Sequence, residues 1–173
     1  MPSALTADEH GALGTLVDAV ACERVRLYRP GERGRAGAVR AIVLALSGDR
    51  AVALGNAVFL PDAQAADLPV LAHELVHCAQ YQRWGALRYA VCGALEQGRD
   101  LAHRLLGIGA SPYHYAIEHG RQFEAYGMEQ QGQIVEDCYR GNTAARALCP
   151  YGPGDRQPRR GPAVVSAPRS PRS

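Results

Sequence analysis

Residues 73 to 77 read His73-Glu74-Leu75-Val76-His77. Residues four apart on a helix lie one above the other, so two imidazoles at this spacing converge on one ion. Glu74 sits about 100 degrees further round the helix, where its carboxylate reaches water at that ion without becoming a ligand. The implied chemistry is metal-assisted hydrolysis. Zinc acidifies a water, Glu74 takes its proton, the resulting hydroxide attacks a polarised carbonyl, and the proton is returned to the leaving amine.

Two histidines leave a zinc site needing a third protein ligand and one open position. Downstream donors are His103, His114, Glu118, His119, Glu124, Glu129 and Glu136. Glu124 is the expected third ligand, because Gln122-Phe123-Glu124-Ala125-Tyr126-Gly127 presents one carboxylate beside small residues that let two helices approach. Glu118 is the alternative, with His119 a further rival. A three-histidine site from one stretch is excluded, since Gln80 and Arg83 stand where the extended motif places its glycine and last histidine. An oxyanion formed in the reaction needs a donor opposite Glu74, and Tyr113, His114, Tyr115 and His119 are the candidates for that or for substrate contact.

Positioning these groups requires a scaffold, and the pattern predicts an α+β domain over 1–149. Thr6 and Glu9 form a capping-box pattern before a helix over 7–22. Val25 and Leu27 begin a strand, and residues 31 to 37 form a Gly/Arg-rich loop. The apolar run 39–46 predicts a strand that turns at Ser47-Gly48-Asp49 into 51–54, and Val58, Phe59 and Leu60 extend the sheet. Three or four short strands in an antiparallel or mixed sheet result. Asp67 as N-cap, with Pro69 in the first turn, starts the helix that carries the histidines as far as about Arg83, with Leu71, Leu75 and Cys78 on the opposite side. Residues 86–106 read as a further helix, and 115–137 as one or two more.

Composition narrows the partners. The 24 residues from Pro150 carry five arginines against Asp155, a net +4, so the remainder of a chain of total charge +2 stands at −2. That weakly acidic body offers no basic face for nucleic acid. No apolar run is long enough to span a membrane, and Met1–Ala12 does not have the pattern of a secretory signal, so a cytoplasmic protein, or one exported by a non-classical route, is expected. Five cysteines without a CxxC pair favour reduced thiols, with Cys138 and Cys149 able to pair if the protein is secreted. Six prolines and three glycines in 150–173 predict a disordered tail.

The stretch from Gly55 to Tyr81 combines Gly-Asn-Ala-Val-Phe-Leu-Pro with Leu-Ala-His-Glu-Leu-Val-His-Cys-Ala-Gln-Tyr. It resembles the gluzincin-like HExxH domains associated with extracellular contractile injection systems, with Gln80 at the glutamine position of their helix pattern. The resemblance implies a zincin-like fold, a Zn2+ ion, and hydrolysis of an amide bond in a peptide or protein substrate. In gluzincins the third ligand is a glutamate on a later helix, commonly followed three residues on by a small residue, and Glu124 with Gly127 fits. A catalytically inactive zinc-binding or partner-binding module, associated with a secretion system, is the alternative.

Overall fold

The computed structural model describes residues 1–154 except 108, 110 and 119. The tail expected to be disordered therefore lies outside the described residues from 155 onwards, as does His119. Among the described residues the chain is α+β, with six α-helices and one three-stranded mixed sheet.

The first helix is shorter than its apolar spacing predicts. α1 spans Ala7–Leu13, started by the Thr6/Glu9 capping box. At Gly14, with φ 55°, the chain tightens into a 3₁₀ helix, Gly14–Ala19. Only glycine fits at this position, because a β-carbon on Gly14 would lie 2.2 Å from the Gly152 carbonyl oxygen. The segment after the last helix packs here, with Thr15 N–H donating to Gly152 O (3.2 Å) and Gly154 N–H to Ala12 O (3.0 Å).

β1, Arg26–Tyr28, lies parallel to β3, Ala57–Phe59, and β2, Val52–Leu54, lies antiparallel to it, giving the order β1-β3-β2. The β2–β3 hairpin turns through Gly55 and Asn56, with Leu54 opposite Ala57. Gly55 adopts φ 65°, a conformation that costs glycine little and suits a two-residue hairpin.

The run 39–46 is not a strand. It lies within α2, Gly34–Ser47, which also absorbs part of the expected loop. Short apolar runs do not distinguish the two states by periodicity, and the deciding features lie at the ends of this one. Alanine-rich sequence extends the helix upstream to Gly34, and Gly48 closes it in the left-handed conformation at φ 70°. Arg40 anchors it, donating to Leu60 O (2.7 Å) and Asp62 Oδ1 (2.8 Å).

α3, Leu68–Trp84, begins where Asp67 accepts the Val70 amide. Gly85 at φ 79° separates it from α4, Ala86–Leu106. Of the region predicted as one or two helices over 115–137, the described residues before Phe123 have no helix, Phe123–Ala125 is a single 3₁₀ turn, and α5 spans Met128–Tyr139. α6, Thr143–Leu148, follows. α3 packs most extensively against α5. Leu71, Leu75 and Cys78 of α3, Ile134, Val135 and Cys138 of α5, and Leu27 and Val58 of the sheet are buried with Leu13 and Leu16 at the centre of the fold. Removing this surface from water is the main force holding α5 against the histidine helix.

Candidate metal and hydrolytic site

Because Leu71, Leu75 and Cys78 turn into the core, His73, Glu74 and His77 emerge where α3 meets α5 and β2. All three are buried. The rings of His73 and His77 stand 4.9 Å apart between centroids, tilted by 70°. Between them lies the Glu129 carboxylate, on the first turn of α5. Its Oε2 is 3.7 Å from His73 Nε2 and 3.4 Å from His77 Nε2. One donor atom from each residue falls within 4.8 Å of the others. Such a group could hold a metal ion, and two imidazoles with one carboxylate are ligands that zinc accepts.

Each imidazole is held from behind. His73 Nδ1 meets Glu136 Oε2 at 3.1 Å, and Arg140 bridges Glu136 (2.9 Å) to Asp67 (3.0 Å). Asp67 is also the N-cap of the histidine helix, so one ionic chain ties the entry of α3 to α5. His77 Nδ1 lies 2.8 Å from Gln80 Oε1. The Gln80 amide nitrogen donates to Met128 O (3.2 Å) and Gln131 Oε1 (3.0 Å), and Gln131 donates in turn to Tyr126 O (2.9 Å). An ionised carboxylate and an amide oxygen are acceptors, so both histidines carry their proton on Nδ1 in the neutral form and present the Nε2 lone pair forward.

The electrostatics follow from this crowding. Burial works against a charged His73, but Glu129, Glu136 and Glu74 more than compensate and push its pKa up to about 10. His77 is raised too, burial being outweighed chiefly by Glu129. Burial would raise Glu129, yet the two imidazoles hold it well below the usual carboxylate range. Glu74 differs. Burial raises its pKa despite both histidines, and Oε2 is buried with no hydrogen-bond partner among the described residues. A buried acceptor without a partner is costly to keep, and here it lines an open cleft.

That cleft measures about 750 Å³. His73, Glu74, His77 and Glu129 form its polar end, and Val43, Leu46, Leu54, Ala86, Ala90 and Ala94 are among its apolar walls. Tyr113 lines it as well, with its phenol pushed up to about 12 by burial and by the Glu129 charge.

The other candidates lie elsewhere. Glu124 is exposed on the 3₁₀ turn and borders a separate recess with Gln80, Arg83 and Trp84, so it does not join the histidines. The flanking small residues that made it attractive serve a turn, not a helix contact. Glu118 is exposed and pairs with Arg121 at 2.8 Å. His114 is exposed and outside the cleft lining. Tyr115 donates to Asp137 at 2.6 Å and stacks edge-on with Tyr126, which is a packing role.

Glu129, one of the downstream donors, stands where Glu124 is expected, and Glu136, another, stands behind His73. A signal was available. Glu129 is followed three residues on by Gly132, the same spacing as Glu124 and Gly127, and Glu136 lies two helical turns beyond Glu129 on one face. Comparison of the chain with models of protein families, with curated proteins and with solved structures finds no match.

Proposed function

We propose that the protein is a zinc-dependent hydrolase of amide bonds in peptides or proteins, with His73, His77 and Glu129 holding the ion and Glu74 acting as general base. The observation that carries this reading is the Glu74 carboxylate, buried and without a partner at Oε2 among the described residues, beside three convergent donors in an open cleft. Two imidazoles and one carboxylate are a donor set suited to zinc. The resemblance of the HExxH stretch to gluzincin-like domains belongs to the same proposal, and so does the zincin-like reading of the small sheet and histidine helix.

A zinc ion bound there supplies Lewis acidity, which polarises a carbonyl and makes water a better acid. The protein side chains supply the rest. Glu74 Oε2 accepts a proton from water as its oxygen bonds to the acyl carbon, and gives that proton to the nitrogen as the C–N bond breaks. Glu136 and Gln80 fix the histidine tautomers throughout. Tyr113 lines the same cleft as a neutral phenol, and in this reading it would donate to a carbonyl oxygen that gains charge.

Metal analysis and peptide-cleavage assays on purified protein test the reading. One zinc per chain is expected in the wild type and in Glu124→Ala, with loss in His73→Ala, His77→Ala and Glu129→Ala. Glu74→Gln is expected to retain zinc and lose cleavage. Metal-free wild type from zinc-replete cells refutes the site, and undiminished cleavage by Glu74→Gln refutes the assigned base.

A further inference from the structure

α4 turns its polar side inward. Tyr89, Gly93, Glu96, Asp100 and His103 form the seam toward the protein: Tyr89 donates to Ala53 O at 2.8 Å, and Asp100 is buried and paired with Arg104. The opposite seam is Leu87, Val91, Ala94, Gly98, Leu101 and Leu105, in steps of four, three, four, three and four residues. This is the spacing of a helix-pairing stripe. Every member is exposed, Leu87 at 80% and Leu105 at 71%. An amphipathic helix ordinarily buries that stripe.

The stripe is also symmetric about position 96. Leu87 and Leu105 lie equally far from it, as do Val91 and Leu101, and Ala94 and Gly98. A helix with this pattern is complementary to a second copy of itself running antiparallel. Leu87 then meets the partner's Leu105, Val91 the partner's Leu101, and Ala94 the partner's Gly98, each contact occurring twice, as a two-fold interface requires. Small residues at the centre allow the backbones to approach, and larger ones fill the space toward both ends. No charged side chain lies in the seam, so pairing strips water from no ion.

Leu95 and Leu106 flank the seam and are exposed as well. With the four large seam residues they make a contiguous exposed apolar surface, of a size on the order of the several hundred Å² per partner that a stable pair covers. The surface is continuous with the cleft, since Ala94 belongs to both.

We propose that α4 is a self-association surface, and that two copies of the chain pair through antiparallel α4 helices crossing at Ala94 and Gly98. The pairing sets the partner's helix beside the mouth of the cleft. It does not depend on the metal reading.

Sedimentation equilibrium of the full chain tests this. The expected mass is twice the 18.5 kDa of one chain. Val91→Glu and Leu101→Arg are each expected to halve that mass while leaving the circular dichroism spectrum unchanged, because both side chains are exposed. Mixing the two variants is expected to restore the dimer. An antiparallel pair sets the carboxylate introduced at position 91 of one chain against the guanidinium introduced at position 101 of the other, and leaves a Leu101–Val91 contact on the second side. A parallel pair sets neither charge against its opposite. A wild type that sediments at the mass of one chain up to its solubility limit overturns the proposal. So do dimers that survive both substitutions, or a mixture that stays monomeric. A monomer that binds phosphatidylglycerol vesicles through this face, and loses that binding in Val91→Glu, assigns the surface to lipid and also overturns it.

Discussion

The imidazole of His73 lies directly on the backbone of Gly132. A β-carbon added at Gly132 would stand 2.7 Å from Nε2 and 2.9 Å from two ring carbons. The glycine is therefore a requirement of the ring position, not of backbone conformation. Gly132→Ala is expected to displace the ring and lower zinc affinity on the order of tenfold or more, while the strain costs about 1–3 kcal/mol of stability. Chelator competition and thermal melts of the variant measure the two effects separately. Wild-type affinity in Gly132→Ala would show that the ring yields freely.

Gln80 is expected to act on affinity through His77. Gln80→Leu removes the acceptor of Nδ1 and leaves Met128 O and Gln131 without their donor. Loss of a group that orients a ligand typically weakens metal binding about 10–100-fold. Gln80→Glu restores an acceptor for His77 and is expected to recover part of that loss, which a purely structural role for the amide would not produce.

At the proposed metal site protons compete with the ion for the same donors. In the metal-free protein His73 titrates at about 10, above its unfolded value of 6.5, because burial, which alone would lower it, is outweighed by its carboxylate neighbours. Its pairing therefore stabilises the metal-free fold fully below the unfolded pKa, and the contribution is lost as pH rises through about 10. A zinc ion bound as proposed has to expel that proton, so its affinity is expected to increase from about pH 6 to about pH 9. Calorimetry in buffers of different ionisation enthalpy reads the proton release directly, and binding enthalpies independent of buffer would contradict it.

Glu9 gives a second pH dependence, away from the site. Burial alone would raise its carboxyl, but the Thr6 amide and Arg29, 2.6 Å away, hold it below its ordinary value. The stability it lends is present above the unfolded carboxylate pKa and lost as pH falls through the folded one. Glu9→Gln is expected to lower the melting temperature near pH 7 and to have little effect at about pH 3. An equal effect at both values would assign the loss to the capping hydrogen bonds instead of the charge.

Much of this arrangement is legible in the sequence where a local rule operates. Asp67 and Pro69 begin the histidine helix, Thr6 with Glu9 caps α1, and the span of α4 follows from its apolar spacing. Local rules give no indication where tertiary contact decides. The run 39–46 has the composition of a buried strand, yet Ile42 and Leu46 are exposed on a helix. Glu124 and Glu129 each have a small residue three positions on, and the difference between them is whether the backbone continues as helix against α3. That is set by Ile134, Val135 and Cys138 reaching the core, not by the five residues around either glutamate.

The path from Asp67 through Arg140 and Glu136 to His73 leaves the start of the histidine helix, runs through α5 and returns to a donor of the same helix. His73 and His77 are brought together as soon as a few turns of helix exist, but their orientation waits for a segment that follows α4 in the chain. A nascent or partly unfolded chain thus presents two unoriented imidazoles and no carboxylate between them. On the proposed metal site, competence to capture an ion would then report completed folding, since the carboxylate arrives only when the distant helix has docked.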